Sequence, residues 1–590
     1  MSTACFDYII VGAGTAGCVL ANRLTASGRH RVLLLEAGGH DRNVWIHIPL
    51  GYGKLFTNRK VNWLYTSEPE AELDNRRIIQ PRGKVWGGSS SINGLLYIRG
   101  QPADFDHWRQ LGNTGWSFED VLPYFRRAED QQRGEDMLHG VGGPLAVSDV
   151  CEPHPLCEAF IAAAEQAGFP RNDDFNGPTQ EGAGYFQLTA RRGRRWSTAV
   201  GYLRPARRRP NLTIASNALV SRILFSGRRA IGIEYRQGDA TRVAHANVEV
   251  IVAGGTFNSP QLLQLSGVGP AALLQSHGID VVADMPGVGA DLQDHLQVRM
   301  QYRCTDRITM NDVIHSWRHR AGAGLRYLLF RKGLLAIGAG YAGGFFRTSP
   351  LVATPDVQVH FIIFSADTAG AALHSFPGFI ASVCQLRPES RGFVHIRSAD
   401  PTQPPAIQPR YLSSRSDRDT VVAGMKLLRR IMQQPAIRRY IAEERAPDAR
   451  CTSDADLLAF AREAGTTVFH PTSTCRMGCD PAAVVDERLR VRGIERLRVV
   501  DGSIMPTVVS GNTNAAIVMI SEKAADMICR MRPPKRRFRF GLNGPNGRSP
   551  RAILTWRADR GFEVAGVGPL AGIELLGLLN GFSGGARCSR

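Results

Sequence analysis

Asp7-Tyr8-Ile9-Ile10-Val11-Gly12-Ala13-Gly14-Thr15-Ala16-Gly17 decides the fold. The first five residues read as a buried parallel strand, and an apolar-periodic helix follows the glycines through Leu24. Gly12 permits a tight turn, Gly14 lets the backbone approach a pyrophosphate, and Gly17 lets the helix pack closely on the strand. The first free amides of the helix and its partial positive charge then face the phosphates. A second strand, Arg31 to Leu35, ends at Glu36, whose carboxylate is placed to accept hydrogen bonds from the adenosine ribose. A glycine loop alone joins many strands to helices without binding anything. Strand, loop, helix, strand and acid in that order predict a dinucleotide site, and the unit leaves FAD and NAD both open.

The chain of 590 residues exceeds what one hydrophobic core supports, so two closely joined domains are expected. Its formal charge of +19 raises the question of a nucleic-acid partner. The cations are scattered in short runs such as Arg191 to Arg195 and Arg207 to Arg209, whereas a nucleic-acid face needs clustering, so no nucleic-acid partner is expected. The 11 cysteines lie apart, and Cys475 and Cys479 have no second pair to complete a zinc site, so no metal is expected. Met1 runs directly into a strand from Phe6, without the basic segment, apolar stretch and cleavage site of a leader, which points to the cytoplasm. No apolar run approaches the roughly 18 residues of a membrane span, so any membrane contact is expected to be peripheral.

Three further segments narrow the cofactor. Pro81-Arg82-Gly83-Lys84-Val85-Trp86-Gly87-Gly88-Ser89-Ser90-Ser91-Ile92-Asn93-Gly94 offers amides and hydroxyls without bulky side chains, which suits a polar, extended cofactor. A strand over Val248 to Val252 leads into Ala253-Gly254-Gly255-Thr256-Phe257-Asn258-Ser259-Pro260-Gln261, a second turn from strand to helix. Thr466-Thr467-Val468-Phe469-His470-Pro471 continues to Cys475-Arg476-Met477-Gly478 and carries an imidazole. These segments, together with Gly287 to His295 and Arg387 to Gly392, resemble the signatures of the glucose-methanol-choline (GMC) oxidoreductase family. The resemblance spans roughly residues 5 to 530.

The resemblance implies an α/β protein, α+β overall, with a Rossmann-like FAD-binding domain and an interleaved substrate-binding domain built on an antiparallel sheet. It assigns 1–155, 205–300 and 465–532 to the first and 156–204 and 301–464 to the second. FAD is expected against Gly12, Gly14, Thr15, Ala16 and Gly17, against Glu36 and Ala37, and against Gly87, Gly88, Ser91, Asn93, Gly94, Leu95 and Leu96. Val220, Asp501, Gly502 and Thr513 complete the set. Some family members bond the flavin covalently through a histidine, and Ile92 stands at that position, which implies non-covalent FAD. The family's catalytic histidine matches His470, and its second catalytic position, six residues beyond Pro506, matches Asn512. Imidazole suits a base because its neutral form accepts a proton at physiological pH. His295 is expected to be a structural histidine. The segment after Asn512 is expected to be helical through Met527, with early amides facing the flavin.

FAD-dependent oxidation of a small-molecule primary alcohol to an aldehyde follows, with dioxygen or a quinone as electron acceptor. Choline dehydrogenase, and a flavin lyase or fatty-acid photodecarboxylase of the same fold, are the alternatives. Choline needs a carboxylate or an aromatic cage, and Tyr341 stands where choline dehydrogenases carry an acid, so an uncharged alcohol is the expected class. Trp63 is expected to pack or to touch the cofactor. Residues 533–590 match nothing in the family, carry ten Arg or Lys against three Asp or Glu, and are expected to be poorly ordered.

Overall fold

The computed structural model describes residues 4–338, 340–368 and 370–530, with the backbone of 537–541, 551–557 and 561–565. Strand Ala4–Val11 runs parallel to Val32–Glu36 on one side and to Ala240–Val252 on the other. Leu212–Ser216 and Leu497–Val499 extend the parallel part, and Arg229–Gln237 and Ala218–Ser226 add antiparallel strands. Every residue of Val32–Glu36 is buried, as expected of a strand covered on both faces. Each buried Leu or Val there contributes about 1.5–3 kcal/mol relative to exposure.

Helix Thr15–Thr25 begins within the glycine loop, and Gly12 has φ +103°, a left-handed value that a side chain resists. A Cβ on Gly17 would lie 1.8 Å from the Gly12 carbonyl oxygen, so the loop and helix touch backbone to backbone. The expected strand Val248 to Val252 is the last third of a 13-residue strand. Its first part has too many exposed polar residues to read as apolar, and it is held by pairing with Arg229–Gln237.

A second sheet is wholly antiparallel, in the order Ile441–Ala446, Leu296–Cys304, Gly378–Gln385, Val357–Ile362, Ala342–Phe346, Gly182–Tyr185. Thr466–Thr467 pairs with its Leu296 end. Alternate residues Val298, Met300, Val359, Phe361, Ala381 and Val383 fill one apolar core with residues of helices Pro155–Gln166 and Arg415–Met432. The opposite face carries Gln297, Arg299, Gln358, His360 and Ser382, as the two-residue period of a strand requires. The fold is therefore α/β, with a dinucleotide-type sheet and a separate antiparallel one.

Contacts divide the chain into the unit Met1–Ala525 and the unit Asp526–Arg590. Within the second, Arg537–Gly541, Arg551–Arg557 and Gly561–Ala565 form an antiparallel three-stranded sheet. The rest of the expectation for 533–590 lies outside the described residues. Gly17→Ala should lower stability by about 1–3 kcal/mol, read as a shift of the urea midpoint, because an added methyl has no space against backbone. An unchanged midpoint would contradict this packing.

Candidate active site

A cavity opens where the parallel strands end. Gly12, Gly14, Thr15 and Ala16 line it with Glu36, Ala37, Gly88 and Val220, and so do Pro471, Asp501, Gly502 and Thr513. Eleven of the residues expected from the sequence thus line one cavity, which takes in both Glu36 and Pro471, the neighbour of His470. The remaining seven do not line it. Gly17 packs the helix on the loop, Gly87 donates its N–H to the Ala13 carbonyl at 2.8 Å, and the Ser91 hydroxyl donates to the Trp86 carbonyl at 2.6 Å. Asn93 Oδ1 accepts from Arg195 Nη1 at 2.6 Å, and Gly94 lies against Gly338. Leu95 and Leu96 are buried in an apolar cluster with Phe186 and Phe345. In the short helical turn Gly88–Ser91, the Ser90 and Ser91 hydroxyls donate to the Gly87 and Trp86 carbonyls just before it, which braces the loop.

The residues present fit an extended dinucleotide. Glu36 accepts from the Ala13 and Gly38 amides at 2.9 and 2.8 Å, and burial pushes its carboxyl up to about 7, so donors from a ribose would stabilise the charged form. Asp501 accepts from Gly255 N–H, the Ser259 hydroxyl and Ser503 N–H at 2.9, 2.6 and 2.8 Å, and it fixes the start of helix Gly255–Leu265 against the cavity. Ile92 is a buried aliphatic side chain with no nucleophile. Trp63 lines the cavity, stacked on Tyr65 at 5.6 Å with the Lys84 ammonium 4.4 Å from its ring centre. Tyr341 is buried in another cluster and stacked on Tyr185, so Trp63 and Tyr341 build no common cage.

His470 follows the short strand Thr466–Thr467, and its backbone N–H donates to Asp294 Oδ1 at 2.8 Å. Asp294 also accepts from the His295 amide and from the Thr467 and Tyr411 hydroxyls, which takes up its acceptor positions. The ring of His470 lies between two partners, with Nδ1 3.0 Å from His295 Nδ1 and Nε2 3.0 Å from Asn512 Nδ2. Proton positions follow from the ends of this chain. The Leu386 carbonyl can only accept, so His295 Nε2 carries a proton and donates to it at 2.9 Å. Burial drives His295 down to about 4, so the ring is neutral and its Nδ1 is an acceptor. His470 Nδ1 therefore donates. Burial, then His295, His360 and Arg82, hold His470 well below the ordinary imidazole value. Its Nε2 is thus a lone pair that accepts from Asn512, whose Oδ1 accepts from Gln358 Nε2 at 3.2 Å.

The His470–Asn512 pairing expected from the sequence is brought together. His295, expected to be a structural histidine, makes a ring-to-ring hydrogen bond with His470. Gln358, His360 and Arg299 were not anticipated; the polar and apolar alternation in Leu296–Cys304 and Val357–Ile362 was the available signal.

The chain matches the GMC oxidoreductase N-terminal model over residues 6–297 and the C-terminal model over 388–521. It is 46% identical to the oxygen-dependent choline dehydrogenase of Pseudomonas aeruginosa (strain LESB58), over 90% of this chain and 96% of that protein. It is 43% identical to the alcohol dehydrogenase [acceptor] of Pseudomonas putida, over 89% and 96%. Its structure resembles pyridoxine 4-oxidase from Mesorbium loti with a TM-score of 0.81 and 30% identity, covering 89% of this chain and 99% of that one. The chain belongs to the GMC oxidoreductase family. It is an oxidoreductase acting on CH–OH groups, with FAD held without a covalent bond. Among the described residues no helix is long and apolar enough to cross a membrane.

Two results are expected for Glu36. FAD affinity of the apoprotein, read by flavin fluorescence quenching, should fall as pH drops below about 7, because the free carboxyl then protonates. Glu36→Gln should bind about tenfold or more weakly with little pH dependence, since a lost charge-assisted hydrogen bond is worth about 1.5–3 kcal/mol. Equal affinity in the variant would contradict the assignment.

Proposed function

We propose that the chain oxidises a primary alcohol to an aldehyde, with His470 as the base and Asn512 as the group that holds the alcohol oxygen. The observation that carries this reading is the directed chain of hydrogen bonds from Leu386 through His295 to His470, which leaves the Nε2 lone pair facing Asn512. The hydride on an alcohol carbon leaves readily only if the hydroxyl proton departs at or before transfer, so a neutral acceptor within reach is required. His470 Nε2 is that acceptor. An alcohol oxygen inserted at this contact donates to Nε2 and accepts from the Asn512 amide, which orients the carbon beside it. When bound, FAD supplies the acceptor for the hydride. His295 keeps Nδ1 of His470 occupied with a proton, so the ring takes the substrate proton at one defined atom.

In this reading residues 1–155, 205–300 and 465–532 carry the cofactor, and 156–204 and 301–464 cover the substrate. The electrons pass on to dioxygen or a quinone.

His470→Ala should keep the yellow cofactor and slow anaerobic flavin bleaching by alcohol about 10²- to 10⁴-fold. Loss of FAD from that variant would instead make His470 a structural residue. The folded protein depresses the His470 pKa, so its accepting form persists below the ordinary imidazole value. The bleaching rate should hold level from about pH 8 to about pH 6.5 and fall only below that. A decline centred above neutrality would contradict a neutral, buried base.

A further inference from the structure

Cross-strand register sets three polar side chains in one line on the second sheet. Arg299 stands opposite Ser382, and Ser382 stands opposite His360, so all three project from one face. Their alternate neighbours fill the apolar core on the other side. Gln358, one rung along on the same face, hydrogen-bonds Asn512, so this face looks toward the proposed catalytic pair. Four buried atoms here have no hydrogen-bond partner: Arg299 Nε, Ser382 Oγ, His360 Nδ1 and Gln358 Oε1. Buried polar atoms are almost always paired in folded proteins, so four on one face point to a ligand.

One of the four belongs to a cation. No described carboxylate forms an ion pair with Arg299. Burial lowers its pKa, and the nearest titratable neighbour is the Tyr52 hydroxyl, a neutral phenol. Tyr52 continues through Phe56 to Phe469 as a chain of rings with centres 5.9 and 5.5 Å apart, ending beside His470. The region therefore pairs an aromatic wall with a polar row whose single formal charge is positive.

We propose that this row is the substrate-recognition site and that Arg299 binds a carboxylate, making the preferred alcohol a hydroxycarboxylate whose hydroxyl-bearing end reaches His470 and Asn512. A planar guanidinium matches the two oxygens of a carboxylate. The Ser382 hydroxyl is a further donor, and the aromatic wall suits the methylenes between the two ends. The same cation repels a quaternary ammonium, which gives discrimination as well as attraction. This departs from the uncharged alcohol expected from the sequence, and it rests on alcohol oxidation at His470.

The test is anaerobic flavin reduction in the full-length holoenzyme by ω-hydroxycarboxylates of rising chain length, n-alkanols of matching length, and choline. The best hydroxycarboxylate should exceed its alkanol in the second-order rate of flavin reduction by on the order of 100-fold, and exceed choline by more. Arg299→Gln should collapse that ratio toward one, mainly through the half-saturating alcohol concentration, and Arg299→Lys should recover part of it. Simple alkanoates should inhibit the wild-type enzyme competitively, a readout that does not depend on a variant folding. A wild-type ratio near one, a preference for choline, no inhibition by alkanoates, or an undiminished ratio in Arg299→Gln overturns the inference while leaving alcohol oxidation standing. Reduction by none of the alcohols overturns alcohol oxidation itself, and the inference with it.

Discussion

Two buried imidazoles meet nitrogen to nitrogen at 3.0 Å, and one proton lies between them. Burial depresses the pKa of both rings, so neither carries a charge that would repel the other. The direction of that single hydrogen bond is set at the Leu386 carbonyl, the residue after strand Gly378–Gln385, and it is read out at His470 Nε2. His295 precedes strand Leu296–Cys304, so the first two members of the relay are anchored on the antiparallel sheet. Asp294 clamps the backbone of His470 from the same segment. The antiparallel sheet thus holds an imidazole whose accepting nitrogen is chosen by a hydrogen bond made on the far side of the ring.

The two halves of the site obey opposite electrostatic logic. Along the cavity at the ends of the parallel strands, the glycine loops and two carboxylates, Glu36 and Asp501, form a lining that fits an extended polar ligand. Across the polar face of the antiparallel sheet, the formal charge within the row of Arg299, Ser382, His360 and Gln358 is the Arg299 guanidinium. Relatives named for choline share the family and its chemistry, while the side chains that face His470 set which alcohol is admitted.

Local chemistry made part of this legible in the sequence. The turn at Gly12, the close packing of Gly17 and the acid at Glu36 each depend on residues within a few positions, so order along the chain predicted geometry. His470 and Asn512 were found through family resemblance, since nothing local to either residue dictates a contact 42 positions apart. Arg299, His360 and Ser382 come from three separate strands, and only cross-strand register brings them into line. Their alternation with apolar residues was visible, but alternation does not say which face of a sheet meets a site. Leu95 and Leu96 follow a motif that suggested cofactor contact, and their side chains pack in an apolar cluster that the motif did not foretell.

The most direct measurement is the rate of flavin bleaching, without oxygen, by a primary alcohol carrying hydrogen or deuterium on its reacting carbon. Hydride transfer from an alcohol activated at His470 predicts prompt bleaching, aldehyde as product, and a rate several-fold slower with deuterium. Protein that purifies without flavin, or bleaching indifferent to deuterium when substrate is saturating and chemistry limits the rate, would contradict it.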